Sequence, residues 1–425
     1  MFKHISLVVL TTAAGIAETH SLTLRQGVDI ALKANPDLVL SRLDEQKAQD
    51  GVRIARDPFV PKMYAGSGLA KVWGYPSSIE GAAPSIIQTR TDMALFNRPK
   101  SYELARVREN ARTAAIVTQS KSDEIAFQTA SLFLDAQQVA RTVQSLKPES
   151  ESLERVSEAM KLRVEEGRAL PIENKRLAAD LARAHQRYDA AVEDLDYAQA
   201  SLAVVLGYPA GDRVQPVDDD RKPAEIPASE QAALQQALEN NKELRRLESQ
   251  LQAKGFEVHE YESTRLPVID LVAQYALFAK SNYEDFFTHV QRNNAELGVA
   301  ITIPLLTGSA PKGLKAQAQT EILQLRAQVN QTRNRIELDT QKSYQDLRKA
   351  EAAQNVTRLD LDYVREQVSV LLAQLGEGRA TEQQVDESRL NEQEKWLAFY
   401  EAQHSVEKAR LALLRQTGTI LAALR

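Results

Sequence analysis

The chain has no cysteine and few aromatic residues, and each shortage removes a class of protein. Without cysteine, its 425 residues can form no disulfide, thiolate ligand or thiol nucleophile. Aromatic residues make up 6% of the chain, so large rings cannot dominate its core. Charge of one sign is also lacking: Lys+Arg 53 stand against Asp+Glu 58, which gives no reason to expect nucleic-acid binding. Beyond the N-terminus no apolar run reaches the roughly 18 residues of a transmembrane helix. The histidines His4, His20, His185, His259, His289 and His404 share no ligand spacing. Nothing resembles a nucleophile elbow or a glycine-rich phosphate loop. No enzyme activity, metal or cofactor is expected.

Two kinds of periodicity fill the chain instead. Leu266–Leu306 holds a pair of alternating runs. Ile269, Leu271, Ala273, Tyr275 and Leu277 oppose Asp270 and Gln274; Ala295, Leu297, Val299, Ile301 and Ile303 oppose Asn294, Glu296 and Thr302. A period of two with one apolar face is a half-buried strand. At about 14 residues, each run is long enough to cross a bilayer at a tilt. Residues 62–73 and 85–96 repeat the pattern more weakly, with Gln88, Arg90 and Asp92 on the polar side. The alternation predicts Arg90, Asp92, Asp270 and Gln274 toward a wet interior, and Leu271, Tyr275, Val299 and Ile301 toward lipid. Trp73 and Phe278 are expected in an interfacial aromatic belt.

The remainder reads as helix: 23–56, with a break near Asn35 at Pro36, then 101–166 and 172–206. At 1.5 Å per residue, 101–166 would extend about 100 Å, a rod that needs neighbours along its length. Val107, Ala111, Ala114, Val117, Ile125, Thr129, Leu132 and Val139 mark its expected buried side, continued past Pro148 by Leu153, Val156, Met160 and Val164. Residues 1–17 read as a signal peptide, cleaved before Glu18, with no lipid anchor expected. Segment 207–227, with its prolines and the acidic run Asp218–Asp220, reads as an aperiodic linker.

After that linker the order restarts. Ala31–Leu38 matches Ala237–Leu244, and Pro61 matches Pro267, at an offset of 206. Glu166-Gly-Arg-Ala169 matches Glu377-Gly-Arg-Ala380, and Gly207 matches Gly418, at an offset of 211. Anchors in the same order, with the same changes of period between them, indicate duplication. The first repeat is 18–206 and the second 228–425. The second has strands over 266–280 and 293–306, a long helix over about 311–376 and a returning helix over about 381–418. Two half-length helices end to end match one long helix, which puts the linker at an equator. The predicted fold is mostly α with transmembrane β.

The run Leu22-Thr-Leu-Arg-Gln-Gly-Val-Asp-Ile-Ala-Leu-Lys-Ala-Asn-Pro-Asp-Leu38 resembles the TolC-like outer membrane efflux protein (outer membrane factor) family. Pro58–Pro61, Ala94-Leu-Phe96, Ile303-Pro-Leu-Leu306 and the two Glu-Gly-Arg-Ala reversals extend the resemblance to residues 22–421. It implies a homotrimer whose four strands per chain close a 12-stranded β-barrel, continued by a long periplasmic α-helical barrel. It also implies a periplasmic adaptor (membrane fusion) protein and an inner-membrane transporter as partners, in efflux or type I secretion. Physics agrees with the trimer: four strands from one chain leave two open edges that lipid cannot satisfy.

Gly167, Arg168, Gly378 and Arg379, at the two reversals, are expected as adaptor-docking tips. In the family, acidic residues six and nine positions after the tip glycine line a periplasmic constriction. Counted from Gly378 these positions hold Gln384 and Glu387, so Glu387 is the first candidate, with Asp386 and Glu382 beside it. The family's basic residue two positions after that glycine is here Ala380. The alternative function is a structural or adhesive coiled-coil protein of the envelope, without channel activity. Against it stand the alternating hairpins, which a rod does not need.

Overall fold

A short strand, β1 (Thr19–Leu22), leads to Thr23, which caps helix α1 (Leu24–Ala34). The Gln26 amide donates to the Thr23 hydroxyl at 3.4 Å, and the Thr23 amide donates to the Gln26 side chain at 3.0 Å. This reciprocal cap satisfies two donors that a helix start leaves open. Helix α1 stops at Asn35, and α2 (Pro36–Arg56) follows at once. Asn35 holds the break from both sides. Its Oδ1 accepts from the amides of Asp37 and Leu38, and its Nδ2 donates to the Val205 carbonyl at 2.8 Å. The computed structural model describes residues 18–68, 85–218, 225–278 and 293–424. The expected signal peptide and Trp73 lie outside them.

The remaining elements follow in the duplicated order. Strands β2 (Lys62–Gly68) and β3 (Ser85–Phe96) precede α3 (Arg98–Glu165) and α4 (Pro171–Val205). After β4 (Arg213–Pro216) come α5 (Glu230–Asn240), α6 (Lys242–Glu262), β5 (Val268–Phe278) and β6 (Asn293–Thr302). The chain closes with α7 (Ala310–Gly376), α8 (Glu382–Gln416) and the short α9 (Ile420–Leu424). Helix α3 continues through Pro148.

Contacts divide the chain into two compact units, each drawing on both repeats. One comprises Met1–Leu40, Gln119–Lys242 and Arg333–Arg425; the other comprises Ser41–Thr118 and Glu243–Thr332. Among its described residues, the regular structure of the first is helical apart from the parallel pair β1–β4. Its larger core gathers Leu24, Val28, Ile125, Ala126, Ala130, Phe133, Leu202 and Val214. Alanines in such a core let helix backbones approach closely, which is how an aromatic-poor chain still packs densely. The second unit holds an antiparallel sheet in the order β2-β3-β5-β6.

Three expectations change, and one break is new. Segment 207–227 is not aperiodic throughout, because Arg213–Pro216 pairs with Thr19–Leu22. The last strand ends at Thr302 rather than 306; Pro304 has no amide to extend a ladder. The new break lies in the opening helix of the second repeat, at Asn241, where there is no proline. Val117 and Val156, expected on the buried side of α3, are 42% and 44% exposed in the chain.

Candidate functional site

The register of the sheet sorts its side chains into two faces, because directly paired residues share a face and successive ones alternate. One row across all four strands is Tyr64, Arg90, Gln274 and Glu296; the next is Lys62, Asp92, Val272 and Gly298. Asp270, paired with Ala94 and Ala300, lies on this polar face too. Arg90 donates to Asp92 at 2.8 Å, and Lys62 pairs with Asp57. The opposite face carries Met93, Leu271 and Val299 in one row, Thr89, Tyr275 and Ala295 in another, and Ile269 beside Ile301. Arg90, Asp92, Asp270 and Gln274 therefore share one face, and Leu271, Tyr275, Val299 and Ile301 share the other.

That second face is apolar yet uncovered. Leu297 is 81% exposed, Ile301 60% and Val299 56%. A contiguous apolar surface of this kind calls for a non-aqueous neighbour. Among the described residues, no strand pairs with the outer edge of β2 or of β6. Two open rows of backbone donors and acceptors thus flank an apolar face.

The two helix reversals share one geometry. Gly167 has φ +71° and Gly378 φ +72°. In each turn the glycine amide reaches back three residues, at 3.0 Å, to Val164 in one and Leu375 in the other. The following arginine amide reaches back five, at 2.7 Å from Arg168 to Arg163 and 2.8 Å from Arg379 to Gln374. This is the glycine-centred cap that satisfies the last helical carbonyls. Glu166 pairs with Arg168 at 3.2 Å and Glu377 with Arg379 at 3.1 Å, each arginine side chain 77% exposed. Both turns therefore present the same charged cap to solvent.

Helix α8 begins just after the second reversal. Thr381 caps it: its hydroxyl accepts from the Gln384 amide at 3.3 Å, and its own amide donates to Gln384 Oε1 at 2.9 Å. The Gln384 side chain is thus turned back onto the helix start, which weakens its candidacy for a constriction. The pattern Thr381-x-x-Gln384 signals that role in sequence, as Thr23-x-x-Gln26 does for α1. Glu382 is the first residue of α8. Asp386 and Glu387 are exposed, whereas Val385 and Ser388 are buried.

Two ionic clusters were not anticipated. Lys242, at the start of α6, pairs with Asp123 of α3 and donates to the Gln119 carbonyl at 3.3 Å. Burial pushes the Asp123 carboxyl above its usual range, and Lys242 opposes that shift. Asp135 of α3 receives both His404 and Lys408 of α8. Burial would raise the Asp135 carboxyl, but these two hydrogen bonds outweigh it and hold it below the usual range. In the other unit, a polar cleft of about 410 Å³ is lined by Arg106, Lys254, Glu257 and Glu321 among others. Among the described residues, no group of three or more His, Asp or Glu side chains could hold a metal ion.

Comparison with known proteins finds no matching family model. The outer membrane efflux protein BepC of Brucella suis is 21% identical over 419 residues, covering 97% of this chain and 88% of that protein. A membrane protein from Pseudomonas aeruginosa superposes with TM-score 0.75 at 15% identity, over 96% of this chain and 98% of that one. The CmeC outer membrane channel of Campylobacter jejuni gives TM-score 0.74 at 14% identity, over 93% of this chain and 85% of that one. At such identities the structural likeness carries the fold. The chain therefore shares the fold of these membrane proteins and is similar in sequence to an outer membrane efflux protein over nearly its whole described length.

Proposed function

We propose that three copies of this chain form a passive exit duct through the outer membrane. The observation that carries this reading is the four-stranded sheet: one face apolar and exposed, the other polar, and both edges open. Three copies joined edge to edge make a 12-stranded antiparallel barrel with no free edge, lipid outside and water within. Leu271, Tyr275, Val299 and Ile301 then meet lipid, and Arg90, Asp92, Asp270 and Gln274 line the lumen. The long helices continue the duct as an α-barrel in the periplasm. The turns at Gly167–Arg168 and Gly378–Arg379 receive a periplasmic adaptor, which links the duct to an inner-membrane transporter of an efflux or type I secretion system. Glu387, flanked by Asp386 and Glu382, lines the constriction. The chain carries no chemistry of its own; it conducts.

Reconstitution tests this. Protein extracted from membranes with detergent, but not with salt, and inserted into planar bilayers should give discrete conductance steps. A chain that washes off with salt and carries no current would be a structural coiled-coil protein instead.

A further inference from the structure

The sheet meets its helices at one end. By register, that end holds the start of β2, the end of β3, the start of β5 and the end of β6. At about 4.8 Å between neighbouring strands, the four strand ends span roughly 15 Å.

Charge at this end is one-sided. Over residues 54–62, 96–103, 262–268 and 302–315 the carboxylates are Asp57, Glu103 and Glu262. Each has a lysine: Lys62 pairs with Asp57, Lys100 with Glu103 at 2.7 Å, and Lys315 with Glu262 at 2.8 Å. Four cations remain, one at each junction: Arg56, Arg98, Arg265 and Lys312. All four are exposed, and none has a carboxylate partner among the described residues. Asp270, farther into β5, belongs to the polar face.

The cations also border the apolar face. Phe96 pairs with Ile269, and Ile269 with Ile301, so the Phe96 ring belongs to that face. The Arg98 guanidinium stands 5.5 Å from the centre of the ring. Beyond β6, Leu305 is 90% exposed and Leu306 97%, and Lys312 follows in the first turn of α7. An exposed apolar surface edged by unpaired cations suits side chains that lie along acyl chains and reach a phosphate layer with their heads.

We propose that this rim is a binding belt for the phosphate headgroups of anionic phospholipids. Arg56, Arg98, Arg265 and Lys312 meet the phosphates, and Leu305 and Leu306 enter the acyl region beside them. The proposal rests on the duct reading, in which this end of the sheet lies at the periplasmic leaflet. Charge complementarity selects the lipid. A zwitterionic headgroup brings its own cation to the rim, whereas phosphatidylglycerol brings only the negative charge that the rim lacks. The rival occupant is a neighbouring copy of the chain, supplying carboxylates of its own.

The test reconstitutes the full chain in phosphatidylcholine vesicles with traces of spin-labelled phosphatidylglycerol or phosphatidylcholine. Electron spin resonance reads the fraction of each label immobilised by the protein. Phosphatidylglycerol should be favoured about five-fold, the factor that one Lys or Arg contributes beside an anionic headgroup layer. The preference should fade between about 0.05 and 0.5 M salt as screening tightens. Arg56→Gln, Arg98→Gln, Arg265→Gln and Lys312→Gln together should abolish it. The same loss of charge in the other unit, by Arg155→Gln, Lys161→Gln, Lys175→Gln and Arg176→Gln at exposed positions, should leave it intact. Equal immobilisation of both labels by wild type overturns the belt, favours the neighbouring copy, and leaves the apolar face in the bilayer. A preference that survives the junction variant, or that the distant variant loses equally, also overturns it. Immobilisation of neither label would put the sheet outside the bilayer, sinking the duct reading and the belt with it.

Discussion

A Cβ built on Gly207 would lie 2.8 Å from the carbonyl oxygen of Ala34, where helix α1 ends. Gly418 repeats the relationship with Asn240, whose Cβ would be 2.9 Å and carbonyl oxygen 3.2 Å away. Both glycines are left-handed, with φ +87° and +69°. Each repeat thus ends its returning helix by pressing a bare backbone against the break in its opening helix, at the end of α1 or α5. Gly207→Ala or Gly418→Ala combines a backbone penalty with a close contact and should cost about 2–4 kcal/mol. Gly167→Ala and Gly378→Ala meet nothing within 4 Å, so only the backbone penalty of roughly 1–2 kcal/mol applies. Thermal melting in detergent should rank the four in that order. Equal melting points for Gly207→Ala and Gly378→Ala would remove the steric argument.

Much of this architecture was legible because duplication writes every signal twice. Asn35 and Asn241, Gly167 and Gly378, and Gly207 and Gly418 are pairs that the sequence spacing alone picks out. What was not legible has physical causes. The β1–β4 pair is four residues per strand, too short for alternation to register, and it rests on a parallel partner distant in sequence. The break at Asn241 lacks the proline that announces the break at Asn35; there the Asn240 side chain donates instead to the Thr417 carbonyl at 3.4 Å. The contact between His404 and Asp135 spans 269 residues, a separation that no local pattern announces.

The two faces of the sheet make a labelling prediction against a clean background, since the chain has no cysteine. Single cysteines at Arg90, Asp92, Asp270 and Gln274 should react with a membrane-impermeant maleimide in intact membranes. Cysteines at Leu271, Tyr275, Val299 and Ile301 should be protected, by about ten-fold or more in rate if lipid covers them. Equal reactivity of both sets would mean that the apolar face is not in a bilayer.

Lys254 of α6 pairs with Glu257 on its own helix and with Glu321 of α7. Burial opposes the lysine's charge, yet its two carboxylate partners hold its pKa above the usual value; Glu321 is held below its own by Lys254. A raised lysine stabilises fully below its unfolded pKa and loses that contribution as pH climbs through the folded one. A depressed glutamate stabilises above its unfolded pKa and loses it as pH falls through the folded one. The coupling between Lys254→Met and Glu321→Gln should therefore be flat from about pH 6 to 9, at roughly 0.5–1 kcal/mol for a partly exposed pair. It should vanish in acid. A coupling unchanged at about pH 3 would show that charge is not its source.

The matching Glu–Gly–Arg turns predict that adaptor docking uses both reversals. Gly167→Trp with Gly378→Trp forces a bulky side chain into a left-handed turn and displaces the paired arginines. Capture of the periplasmic adaptor in pull-downs should fall about ten-fold for the double variant and less for either single one. Undiminished capture by the double variant would place docking elsewhere on the helices.

The constriction prediction turns on Glu387. Three-fold symmetry converts one lumen-facing carboxylate per chain into three like charges around a narrow passage. Such a ring attracts polyvalent cations, because each trivalent ion relieves the repulsion of all three carboxylates at once. Gln384 cannot contribute a charge, and its side chain is committed to the cap on Thr381. Asp386 is one position off, about 100° around the helix, so the two acids cannot face the same way. Block by hexamminecobalt(III) from the periplasmic side should weaken about ten-fold or more in Glu387→Ala, and little in Asp386→Ala or Glu382→Ala. If Glu387→Ala is blocked as readily as wild type, Glu387 faces the outer wall, where a single exposed carboxylate holds no trivalent ion against salt.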